Sequence, residues 1–109
     1  NLSPAQVMEE LGKGNVTLFD LREKDELEQH GKISGSIHAP RGMLEFYADP
    51  SLPFHKPEFN KNNRIIVHCA AGARSALATL TLKQMGYMNV AHLNGGFEAW
   101  IEAGMPVNE

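Results

Sequence analysis

The sequence predicts a single α/β domain whose largely parallel sheet carries helices on both faces. Two observations carry this. Short apolar runs alternate along the chain with amphipathic helical stretches, which is the pattern of repeated strand–helix units. One of these runs, Ile65 to His68, is apolar at consecutive positions, as in a central strand covered on both sides. The 109 residues fit one compact domain over 1–109. A hydrophobic share of 42% supports one core and excludes a disordered chain.

The elements follow in order. Ser3-Pro4-Ala5-Gln6 reads as a helix start, with Ser3 as N-cap, Pro4 at the first helical position and Gln6 closing a capping box. Val7, Met8 and Leu11 give that helix an apolar face, and Gly12 or Gly14 ends it. Val16 to Phe19 is a short buried strand that stops at Asp20. The polar stretch REKDELEQHG forms a helix closed by Gly31, and GSIHAP is a brief extended piece ended by Pro40. MLEFYA is a short helix, and DPSLPFHKPEFNKNN, from Asp49, is a surface loop. After the 65–68 strand, Ser75 to Met85 is a helix with Leu77, Leu80 and Met85 among its apolar positions and Gly86 just past its end. Val90 to Leu93 is a further strand. GGFEAWIEAGMPV is a final helix, with Phe97, Trp100 and Ile101 on one face and Gly104 at its end. No repeat or internal linker interrupts this order.

Composition narrows the function. A net charge of −3 argues against a nucleic-acid binder. No apolar run approaches the roughly 20 residues of a membrane span. The start, NLSPAQVMEELGKG, lacks the basic and apolar regions of a signal peptide, so the expected location is the cytoplasm unless a leader has been removed. The single cysteine, Cys69, cannot form an internal disulfide or a CxxC pair. The histidines at 30, 38, 55, 68 and 92 show no metal-ligand spacing, so no metal is expected. The charge is unevenly spread. Between Glu58 and Glu98 there is no acidic residue, while Lys61, Arg64, Arg74 and Lys83 give that segment +4, leaving −7 for the rest. Cys69 sits in the basic segment, where positive charge lowers a thiol's pKa and draws anions.

Cys69 also lies at the carboxyl end of the 65–68 strand, where open parallel sheets bind ligands. A helix N-terminus follows, and its free N–H groups favour a thiolate, the nucleophilic form of cysteine. Residues 70 to 73 are small and can curl so that successive N–H groups point inward. Gly72 permits the positive φ that such a curl requires, and Arg74 closes the loop with a fixed charge. Against this stands the ordinary role of a free cysteine as a buried packing residue. The strand-end position, the tight loop and the local charge favour a reactive thiol.

Three motifs then bring out a resemblance. LFDLREKDELEQHGKISGSIHAP resembles the first motif of single-domain rhodaneses, an Asp-x-Arg followed by an acidic helix. IIVHCAAGARSALA resembles their active-site loop. GYMNVAHLNGGFEAWIEAGMPV resembles their closing motif, with a Gly-Gly pair, Trp100, Gly104 and Pro106. The match spans residues 3 to 107. It implies a sulfurtransferase in which Cys69 takes a sulfane sulfur as a persulfide and passes it to a nucleophilic acceptor. The backbone N–H groups of Ala70, Ala71, Gly72, Ala73, Arg74 and Ser75 would cradle the persulfide and the anionic groups of donor and product. Neither metal nor organic cofactor is implied. The implied partners are a small sulfur donor (thiosulfate or a persulfide), a thiol or cyanide-like acceptor and a sulfur-relay protein. Neither nucleic acid nor membrane is among them.

Loop length and composition sharpen the resemblance. Four residues separate Cys69 from Arg74, whereas phosphatases with a Cys…Arg loop, including those built on the rhodanese fold, use five. A phosphatase is therefore the poorer runner-up, and an arsenate reductase would need a second cysteine. Thiosulfate-specialised members carry Arg or Lys early in the loop, where this chain has Ala70 and Ala71. A neutral loop suits a persulfide or a protein-bound sulfur. The alternative class is a non-catalytic rhodanese-fold module that binds a partner or carries sulfur. The loop from Asp49 to Asn63, with Phe54, Phe59 and three prolines, would then be the docking segment, or else a plain cover over the sheet.

The remaining candidates have two readings each. Arg22 falls in the Asp-x-Arg motif and would either bind an anionic donor beside Cys69 or pair with a neighbouring acid. Ser75 would bond the thiolate, cap the following helix, or do both. Arg41, after the second strand, would either reach the site or, as the behaviour of loops favours, face solvent. His68 precedes Cys69 and points to the other face of its strand, so it reads as a packing residue. Trp100 reads as core.

Overall fold

The computed structural model describes residues 1–108. Helix α1 (Pro4–Lys13) begins as the sequence requires: Gln6 N–H donates to Ser3 Oγ, the Gln6 side chain returns to Ser3 N–H, and Gly14 caps the far end. The remaining elements are β1 (Val16–Asp20), α2 (Lys24–His30), β2 (Ile37–His38), a single 3₁₀ turn at Arg41–Met43, α3 (Leu44–Ala48), β3 (Arg64–His68), α4 (Ala73–Gln84), β4 (Val90–His92) and α5 (Gly96–Glu102). No helix among the described residues is long and apolar enough to cross a membrane.

The sheet runs in the order β2–β1–β3–β4, and every pairing is parallel. β3 is an inner strand. Five of its residues register on β1, from Val16 opposite Arg64 to Asp20 opposite His68, and three on β4, ending with Val67 opposite His92. All carboxyl ends therefore emerge on one rim. The consecutive apolar residues of β3 divide between two cores, because alternate side chains leave opposite faces. Ile65, Val67 and Cys69 join Phe19, Leu21, Leu44, Ala78, Leu82 and Tyr87 on the side of α3 and α4. Ile66 joins Val7, Leu18, Ile33, Leu93, Phe97 and Trp100 on the side of α1 and α5.

Three side chains lie elsewhere than the sequence suggests. Leu77 and Leu80 are 63% and 55% exposed. α4 instead buries Ser75, Ala78 and Leu82, which share a face at i, i+3 and i+7. Ser75 is tied to the Cys69 loop, and that rotates the two leucines outward. Ile101 is half exposed on α5, while Phe97 and Trp100 face the core. Phe59 of the 49–63 loop is buried and stacked on Phe19, with ring centroids 3.8 Å apart. That loop therefore covers the sheet, with Phe54 as its exposed aromatic residue.

The thiol cradle as candidate active site

Cys69 stands where β3 ends, with its side chain directed toward the first turn of α4. Its sulfur accepts the Gly72 N–H at 3.2 Å and the Ser75 N–H at 3.3 Å, and Ser75 Oγ lies 3.6 Å away. The residue is 1% exposed. Burial pushes the thiol pKa up. The Ser75 hydroxyl and the N–H groups of Ser75, Gly72 and Arg74 more than offset it, so the net direction is down. Of the six N–H groups expected around the sulfur, those of Gly72 and Ser75 are hydrogen-bonded to it, and α4 starts earlier than the sequence suggests. Ala73, Arg74 and Ser75 form its first turn, and Gly72 is the N-cap residue at φ 107°. Ser75 thus bonds the sulfur from within the helix and does not cap it. Ala71 and Ala73 are exposed and Ala70 is half-buried.

A second element fixes the loop. The Phe97 N–H donates to the Cys69 carbonyl at 2.7 Å, and the Glu98 N–H to the Ala70 carbonyl at 2.9 Å. The first turn of α5 therefore clamps the thiol loop from behind. Gly96 makes this approach possible: a Cβ there would sit 2.5 Å from the Cys69 carbonyl oxygen, and its φ is +65°. The sequence shows a Gly-Gly pair but not what it touches.

Half of the basic charge of the Cys69 segment, its two arginines, is paired in three dimensions. Arg74 forks onto Glu26 of α2 at 2.8 and 3.0 Å. This pulls the Glu26 pKa from 4.5 to about 2. Arg64 forks onto Glu10 in the same way. Glu26 is the partner that sequence reasoning misses, because 48 residues separate it from Arg74.

Arg22 takes the ion-pair option. Its Nε and Nη2 contact the Asp20 carboxylate, the closest at 2.7 Å, and Nη2 also donates to the Gly31 carbonyl at 2.9 Å. The guanidinium lies 4.0 Å above the Phe97 ring and is 1% exposed. Arg22 borders the rim without offering a free cation there. Arg41 pairs with Glu45 and contacts Thr81 Oγ1. His68 faces away from the sulfur, stacked near Phe97, with Nε2 3.6 Å from an Asp20 oxygen. Burial holds its pKa below 6.5. Trp100 is core, and its Nε1–H donates to the Pro106 carbonyl. His92, which spacing alone does not single out, places Nδ1 3.2 Å from Ser75 Oγ.

A groove of about 650 Å³ opens beside Ala70, with Glu26, Phe97, Glu98 and Ile101 among its walls. The arginine in its wall, Arg22, is paired with Asp20, and Glu98 adds a carboxylate to that of Glu26.

Comparison with known proteins agrees with this architecture. A sulfurtransferase of Allochromatium vinosum is 32% identical over 93 residues, covering 85% of this chain and 78% of that protein. The chain spans only 66% and 60% of related proteins from Schizosaccharomyces pombe and Raphanus sativus. A Rhodopseudomonas palustris structure, described as a protein of unknown function and possible tyrosine phosphatase, superposes with a TM-score of 0.93. It is 43% identical, and the match covers 99% of this chain and 83% of that one. A human single-domain sulfurtransferase superposes at 0.81 with 26% identity, over 94% and 95% of the two chains. The rhodanese-like domain model matches residues 3–103, which include the thiol loop, the α2 acid that pairs with it and the glycine turn that clamps it. The chain belongs to the rhodanese-like domain family.

Proposed function

We propose that this protein is a sulfurtransferase that carries a sulfane sulfur on Cys69. The observation that supports this most is the buried sulfur held by two backbone N–H groups at the start of α4. That environment favours a thiolate and then the anionic persulfide. In the first step the thiolate attacks the outer sulfur of the donor. A Cys69 S–S bond forms, the donor's S–S bond breaks, and the leaving thiolate or sulfite departs with the electron pair. In the second step an acceptor thiolate or cyanide attacks the outer sulfur, and Cys69 leaves as the thiolate. This divides one transfer into two easier steps, and neither step calls for a metal or an organic cofactor.

The donor class follows from charge. Both arginines near the loop are already paired, at Glu26 and at Asp20. A thiosulfate dianion would meet no unpaired arginine among the groove's described residues and would face the carboxylates of Glu26 and Glu98. An uncharged or zwitterionic organic persulfide fits better, with its carbon chain in the groove beside Ala70 and Ile101.

Intact-protein mass spectrometry tests the reading. Wild type treated with an organic persulfide gains one sulfur, Cys69→Ala gains none, and cyanide or a thiol removes it. A sulfur that no small acceptor removes would make the protein a carrier for a partner protein. No gain from any donor would leave the binding-module reading. An aryl phosphate assayed in parallel tests the phosphatase reading, and no turnover is expected.

A further inference from the structure

Ser75 Oγ stands at a junction of three acceptors. Cys69 Sγ lies 3.6 Å away, the Gly72 carbonyl oxygen 3.2 Å and His92 Nδ1 3.2 Å. The hydroxyl has one proton and cannot serve all three. His92 decides where it goes. With Nδ1 unprotonated, the ring accepts the Ser75 proton and competes with the sulfur. With Nδ1 protonated, the ring can only donate, and the Ser75 proton is free for another acceptor. A thiolate is then the charged acceptor and forms the stronger bond.

We propose that His92 is a positioning residue for Cys69: protonated at Nδ1, it donates to Ser75 Oγ and turns the Ser75 proton onto the sulfur. The resulting chain, Nδ1–H to Oγ–H to S⁻, strengthens as each bond polarises the next. The backbone holds His92 in place for this. It registers opposite Val67 on β3, two residues before the thiol, and its carbonyl accepts the Leu2 N–H at 2.8 Å. α4 brings Ser75 to it. The charged group that faces it is the Cys69 thiolate, through Ser75. Burial, opposed by a backbone bond to Leu93, holds the His92 pKa below 6.5. At neutral pH the ring is therefore uncharged, and it acts through its tautomer.

This inference rests on Cys69 serving as a thiolate, but its test needs no sulfur donor. The rate of Cys69 alkylation by iodoacetamide is measured against pH, so failure of the sulfurtransferase reading leaves the result interpretable. His92→Phe keeps a ring without the donor. It is expected to shift the profile to higher pH and to slow alkylation below the midpoint by about threefold to tenfold, the worth of one hydrogen bond. His92→Asn places an amide donor near the Nδ1 position and is expected to restore most of the rate. A His92→Phe profile that overlays wild type overturns the proposal. So do equal losses in both variants, which would show a packing effect. The wild-type protein supplies an independent check. Nitrogen NMR of the His92 ring, above the pH at which the thiol ionises, should show the proton on Nδ1. A bare Nδ1 there also overturns it.

Discussion

Gly96→Ala should damage the thiol loop from outside it. The residue adopts φ +65°, and an added Cβ would lie 2.5 Å from the Cys69 carbonyl oxygen and 2.7 Å from the Ala70 carbonyl carbon. A left-handed alanine costs about 1 kcal/mol. The clash is with backbone, which cannot swing aside, so α5 must retreat from the loop. Retreat weakens the Phe97 N–H bond to Cys69 and the Glu98 N–H bond to Ala70, at about 1 kcal/mol each. The total is about 3 kcal/mol, or a fall in Tm of roughly 12 °C or more for a domain of this size. Gly104→Ala is the control. Its φ is +74°, but nothing lies within 4 Å of the added Cβ, so only the backbone cost of about 1 kcal/mol applies. Urea unfolding monitored by Trp100 fluorescence gives both values, and alkylation of Cys69 reports the state of the loop. Equal losses in the two variants would refute the crowding argument and the role assigned to the α5 clamp.

Glu26→Gln removes the counter-charge of Arg74 and frees that guanidinium for anions. The half-exposed pair contributes at most about 1 kcal/mol to stability, whereas kcat/KM for thiosulfate should rise several-fold with little change for an organic persulfide. An unchanged preference would show that the paired arginine does not govern donor choice. Asp20→Ala leaves the Arg22 guanidinium buried without its partner and should cost about 3–5 kcal/mol in urea unfolding. A loss below about 1 kcal/mol would count against the buried pair as a structural element. Below pH 6.5 the unfolded chain binds a proton that the buried His68 refuses, so stability should fall as the pH drops. Asp20 behaves similarly at lower pH. Burial raises its pKa, but the Arg22 fork and the other groups around it prevail and lower it below 3.8. Its contribution is therefore present above that value and lost as the pH falls toward the folded-state value. His68→Phe should flatten the stability curve below about pH 6.5. A curve as steep as wild type would exclude His68 as the source.

Much of the fold and the centre of the site are legible in one dimension because they depend on local rules. The Ser3–Gln6 box starts α1 through groups three residues apart. The apolar run of β3 places it inside the sheet. Cys69 falls at the strand end and next to a helix start, so its cradle of N–H groups follows from neighbouring residues alone.

What the sequence by itself determined was the order of elements, the central strand, and the thiol with its small-residue loop. The tertiary structure decided the rest, because it depended on which distant residue arrived. α4 is apolar or small over most of its surface, so periodicity could not say which stripe faces inward. The Ser75 bonds to the Cys69 loop turned Ala78 and Leu82 in and Leu77 and Leu80 out. The run of positive charge around Cys69 was real along the chain and halved in space, because Glu10 and Glu26 came from other helices to meet Arg64 and Arg74. The Gly-Gly turn became a clamp, and His92 a neighbour of the thiol's own hydrogen-bond donor, only when β4 and α5 closed on the end of β3. Backbone propensities act over a few residues, while charge pairing and close backbone contact act through space.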